Sequence, residues 1–151
     1  MKKEVVVLLS MLFGLIVSAI VSISILFATK FFTGGVMDFG ADKWMYMTLT
    51  IPVVIGFGVL GAYFYNHANL SNKQMWKITL ISVLAISLLS GTVGTIISDV
   101  LIYGSEGVNF DGRIIWGVLY SIFALPITLF IGKLLIEILA EFVASVKKKD
   151  A

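Results

Sequence analysis

The chain has no cysteine, which excludes disulfides, thiol redox chemistry and cysteine-based metal sites. The same absence argues against the thiol-redox four-helix families. Histidine occurs once, at His67, so neither a histidine cluster nor a Ser/His/Asp or paired-carboxylate constellation can be assembled around it. Charge is scarce: 13% of residues are Asp, Glu, Lys or Arg, about half the roughly 25% of soluble domains. The net charge is only +2 and no basic stripe with interleaved aromatics occurs, so nucleic acid is not an expected partner.

Apolar residues fill the space that charge leaves. They make up 59% of 151 residues, and the mean hydropathy is +1.03. A single small domain cannot bury that much apolar surface in water, because small domains bury the smallest fraction of their surface. Lipid is the solvent the composition calls for.

Four stretches carry no Asp, Glu, Lys, Arg or His: Val5–Thr29, Trp44–Asn66, Ile78–Ser98 and Ile114–Gly132, of 25, 23, 21 and 19 residues. A helix needs about 20 apolar residues to cross the hydrocarbon. Lipid leaves backbone polar groups unsatisfied unless they pair within the segment or in a closed barrel. Four strands do not close a barrel, so the sequence predicts an all-α bundle of four transmembrane helices. Residues 1–132 form the membrane domain and 133–151 an amphipathic helix with a basic tail. Met1-Lys2-Lys3 resembles the start of a signal peptide. The uncharged run behind it is too long for a 7–15-residue h-region, and no Ala-x-Ala-like site follows, so it reads as an uncleaved first helix.

Lysine and arginine counts orient the spans. Lys2, Lys3, Lys73, Lys77, Lys133, Lys147, Lys148 and Lys149 lie on one side, and Lys30, Lys43 and Arg113 on the other. Eight against three puts both termini in the cytoplasm of what reads as a prokaryotic plasma-membrane protein. Trp44, Tyr46, Tyr63, Tyr65, Trp76, Tyr103 and Trp116 cluster near span ends, as an aromatic belt requires.

Small residues recur every four positions in the first run, at Ser10, Gly14, Ser18 and Ser22. In the third they recur at Ser87 and Gly91 and again at Ser82, Ser90, Gly94 and Ser98. Such ridges let helix backbones approach closely in lipid, where packing drives association. The expectation is that the first and third helices share the centre of the bundle, with serines bonded to the preceding turn. Pro126 should kink the fourth helix, and Pro52 should bend the second less.

Shifting the chain by 72 residues places Gly35, Val36, Gly40 and Trp44 on Gly107, Val108, Gly112 and Trp116. It also places Ser10 on Ser82 and Ser18 on Ser90. This predicts two tandem helical hairpins, 1–72 and 73–144, in one orientation. Beyond Gly132, Leu134, Leu135, Ile138, Leu139, Phe142, Val143 and Val146 fill one half of a helical wheel, opposite Lys133, Glu137, Glu141 and Lys148. The candidate contact set for a partner or for lipid is Leu135, Ile138, Leu139 and Phe142 with Lys147, Lys148 and Lys149. The lysines suit anionic headgroups.

Three motifs imitate chemistry. Gly56-Phe57-Gly58-Val59-Leu60-Gly61 spells a dinucleotide fingerprint, but that fingerprint needs a strand before it and a helix after it; within a span it reads as helix packing. Asn69-Leu70-Ser71 is a glycosylation sequon on the cytoplasmic side, where it is inert. Asp99 closes the third span at the water boundary, so no acid marks a proton path. No acid lies deep in the first span, unlike the small multidrug transporters. The functional expectation is a non-enzymatic subunit without cofactor or metal. It works by helix–helix contact in lipid, as an accessory, scaffold or immunity-type component, or by self-association. The alternative is a small oligomeric channel or transporter around a Ser/Thr-lined path.

Overall fold

The computed structural model describes residues 2–35, 43–67 and 70–148. The sequence-based assignments to Val36, Gly40, Asn69 and Lys149 lie outside these residues. The chain forms four long helices: α1 Lys3–Thr33, α2 Lys43–Asn66, α3 Asn72–Tyr103 and α4 Phe110–Lys148. All four are long and apolar enough to cross a membrane.

The ends follow local chemistry. α1 stops at Gly34, whose φ of 68° suits glycine, and the Gly35 N–H returns to the Lys30 carbonyl at 3.1 Å. Ser71 and Gln74 form a capping box at the start of α3. The Asn109 side-chain carbonyl accepts the Gly112 N–H at 2.9 Å at the start of α4. One π-helical turn, Ser90–Gly94, interrupts α3. α2 and α4 continue through Pro52 and Pro126.

The bundle is centred on α2. In its most apolar stretch 44% of residues are buried, against 33% for α1, 17% for α3 and 11% for α4. α1 packs along α2, and α3 packs on α4 and, around the π turn, on α2. This corrects the expectation that α1 and α3 share the centre: among the described residues they make no contact. Each small-residue ridge faces a different partner. On the α1 side, a Cβ built at Gly14 would meet Phe57, one at Gly58 would meet Met11, and one at Gly61 would collide with Ser10. Gly58 and Gly61 of the Gly56-x-Gly58-x-x-Gly61 string therefore admit α1 to α2, while Gly56 faces Ile86 of α3.

α4 runs unbroken through residue 133 to Lys148. The apolar face of its last four turns is mostly covered by the chain itself. Leu139 and Val143 are fully buried in one cluster with Val6 of α1 and Phe64 of α2. Lys133, assigned to the polar face, is buried; it pairs with Glu137 and sits over the Trp76 ring, 5.2 Å from its centroid.

Candidate functional site

Several buried hydroxyls are satisfied close to home, while those of Ser22, Thr79 and Ser90 have no partner among the described residues. Ser10 donates to the Val6 carbonyl at 2.8 Å, Ser18 to Leu15 at 2.8 Å and Ser121 to Gly117 at 2.7 Å. The helix consumes these groups itself.

At the end of the bundle away from the termini, α2, α3 and α4 converge. A Cβ on Gly91 would lie 2.7 Å from the Gly117 carbonyl oxygen, so only glycine on both helices permits the contact. Gly94 presses equally closely on the Thr48 carbonyl. The Thr48 and Ser98 hydroxyls are 2.9 Å apart and buried. Ser98 already donates to the Gly94 carbonyl at 2.9 Å, so Thr48 supplies the proton between them. At the next residue, Arg113 Nε donates to the Asp99 carboxylate at 2.5 Å. Asp99, expected at the water boundary, is buried and holds α3 to α4.

Below this node α4 parts from the bundle. No residue of α4 between Ser121 and Lys133 is fully buried. α1 makes few contacts with α4 along its whole length. The result is a cleft of about 330 Å³, open on one side and lined by all four helices. Its walls are apolar: Val17 and Val21 of α1, Val53 and Phe57 of α2, Val83 and Ile86 of α3. Hydroxyls gather towards the node, where Thr48, Ser90 and Ser121 line it. Ser90 is buried and its hydroxyl has no hydrogen-bond partner among the described residues.

The end with both termini is different. Lys147 donates to the Tyr65 carbonyl at 3.1 Å. His67 Nδ1 lies 3.0 Å from the Tyr63 carbonyl, and its ring stacks on Tyr63. Those contacts make His67 a helix-end residue. A second cavity of about 180 Å³ there includes Phe64, His67, Met75 and Glu141.

Ser10, Gly14, Ser18 and Ser22 are buried. Gly94 and Ser98 are buried, Gly91 is partly buried at the convergence, and Ser87 lines the cleft. The C-terminal set divides: Leu139 is buried and Leu135 partly so, while Ile138, Phe142 and Lys148 are exposed. Gly117 and Lys133 are central contacts that the sequence reading passed over. Gly117 and Ser121, then Ala124, Thr128 and Gly132, repeat small residues every four positions, which was the available signal. Lys133 gave none, because a lysine near a span end reads as interfacial. Set against family models, curated proteins and solved structures, the chain matches none of them.

Proposed function

We propose that the protein is a non-enzymatic membrane subunit, an accessory, scaffold or immunity-type component that works by helix–helix contact with a membrane-protein partner. One observation carries this reading. α4 continues about 22 Å past Lys133, at about 1.5 Å per residue, and leaves Ile138 and Phe142 exposed on that extension while Leu139 and Val143 anchor it. A bilayer core of about 30 Å does not reach that far along a 39-residue helix. An anchored helix carrying bare apolar residues on its outward face is a surface suited to a protein partner or to the headgroup layer. Small-residue ridges and self-satisfied hydroxyls fit a protein built for packing.

The channel or transporter alternative has less support, because Ser10, Ser18, Ser98 and Ser121 spend their hydroxyls on their own helices. On this reading both termini are cytoplasmic, from the lysine distribution, and the two hairpins descend from one duplicated unit.

Affinity purification in mild detergent tests the proposal. A different protein should co-purify in fixed stoichiometry and be lost in Phe142→Asp, with the fold retained. A closed homo-oligomer that survives the substitution would instead favour the channel. Orientation is tested with Glu106→Cys and Asn72→Cys in this cysteine-free chain: an impermeant thiol reagent applied outside should label the first alone, and labelling of the second alone would invert the topology.

A further inference from the structure

We infer that the cavity between the ends of α2 and α4 receives one lysine or arginine side chain of the protein partner, held by Glu141 and His67. This rests on the partner reading above and names the chemistry that is recognised on the partner.

The polar side chains lining this cavity of about 180 Å³ are His67 and Glu141, and both offer acceptors. Past Lys133, α4 carries two acids. Glu137 is paired with Lys133, whereas Glu141 is exposed and has no ion pair or hydrogen bond among the described residues. Lys147, the lysine nearest to it along the helix, is spent on the Tyr65 carbonyl and lies over the Tyr65 ring, 5.3 Å from its centroid. His67 Nδ1 lies 3.0 Å from the Tyr63 carbonyl. A carbonyl oxygen has no proton to give, so Nδ1 carries the hydrogen and Nε2 of the neutral ring is left as an acceptor. Stacking on Tyr63, with ring centroids 4.3 Å apart, holds the imidazole in place. A carboxylate and an imidazole acceptor lining one cavity call for a donor that carries positive charge.

The rest of the lining selects a side chain over a bare cation. Phe64, Leu70 and Met75 are apolar. They give a hydrated ion nothing, but they cover the methylene stem of a lysine or arginine while its charged head is paired. Met75 adapts to the shape of such a stem. Ile138 lies one turn before Glu141 and Phe142 follows it, both exposed, so apolar residues beside the partner's cation find cover as well. Lys73, Lys77 and Lys148 are exposed at the same end of the bundle. They repel a run of basic residues, so the partner segment carries one lysine or arginine between apolar residues.

The test uses the full chain in native membranes, with p-benzoylphenylalanine placed at the exposed Ser145. Photolysis should join it to a different protein. Peptide mapping should put the adduct within a few residues of one lysine or arginine flanked by apolar residues. In mild detergent, Glu141→Gln should cut recovery of that protein several-fold. Glu141→Lys, which sets like charges together, should cut it about tenfold or more. Thermal unfolding of the bundle should not change in either variant, because Glu141 bonds to nothing within it. His67→Phe keeps a ring on Tyr63 but offers no acceptor, and should cut recovery several-fold. Replacing the partner's cross-linked lysine or arginine with glutamate should restore its recovery on Glu141→Lys. A partner lost in Phe142→Asp but fully recovered in Glu141→Lys would overturn this inference and leave the partner reading standing. So would an adduct on a segment without a basic residue. Recovery of no different protein, or adducts to lipid or to a second copy alone, would overturn both.

Discussion

The first hairpin, α1 with α2, and the second, α3 with α4, use the same small residues to different effect. In the first, Ser10, Gly14 and Met11 meet Gly61, Phe57 and Gly58 turn after turn, so the interface is continuous. In the second, α3 and α4 touch backbone to backbone at Gly91 and Gly117, meet again where Val83 fills the space at Gly132, and stand open to the cleft between. The π turn Ser90–Gly94 lies at the close contact, and no such turn occurs in α1. A continuous seam makes a wall; two separated pins leave a slot. The cleft of about 330 Å³ is lined by all four helices, and on α3 its lining reaches the π turn at Ser90 and Gly91.

The comparison can be broken in order of expected effect. Gly91→Leu forces a side chain between two backbones and should cost on the order of 3 kcal/mol or more, read as thermal unfolding in detergent. Wild-type stability would mean that α3 and α4 do not touch there. Leu139→Ala should cost about 2–5 kcal/mol because the site is fully enclosed. Phe142→Ala, one turn face away and exposed, should stay within about 0.5 kcal/mol. Equal effects would refute the docking of the C-terminal turns on the bundle. Gly14→Leu strikes the continuous seam, where a built Cβ lies 2.9 Å from the Phe57 Cβ, and should cost about 1–3 kcal/mol. Arg113→Ala removes a charged hydrogen bond from buried Asp99 and should cost about 1–3 kcal/mol; Arg113→Lys should recover part of it. No loss in Arg113→Ala would show that the pair holds nothing together.

The four helices were legible because lipid dictates their length and forbids their alternatives. The small residues were legible as contact residues, but their partners were not. A ridge such as Ser10–Gly14–Ser18 states that something comes close without stating what: its neighbours are Gly61 and Phe57 of α2, and not the equally small Gly91 of α3. What covers the apolar half of the C-terminal wheel depends on where Val6 and Phe64 end, which no pattern within α4 contains. Lys133 was misplaced for a related reason: its cover comes from Trp76 on another helix and from Glu137, four residues along its own. The cleft is a gap between helices and has no signature in any one of them.

The placement of α2 between α1 and α3 underlies the seam, the slot and both ends of the bundle, and paired cysteines test it most directly. The chain contains no other thiol. Ser18 and Thr50 have hydroxyls 3.5 Å apart, and Thr48 and Ser98 have hydroxyls 2.9 Å apart. Oxidation in native membranes should cross-link Ser18→Cys with Thr50→Cys, and Thr48→Cys with Ser98→Cys, while Ser18→Cys with Ser90→Cys stays reduced. A disulfide in that last pair, with neither of the first two formed, would put α1 against α3 and contradict the account.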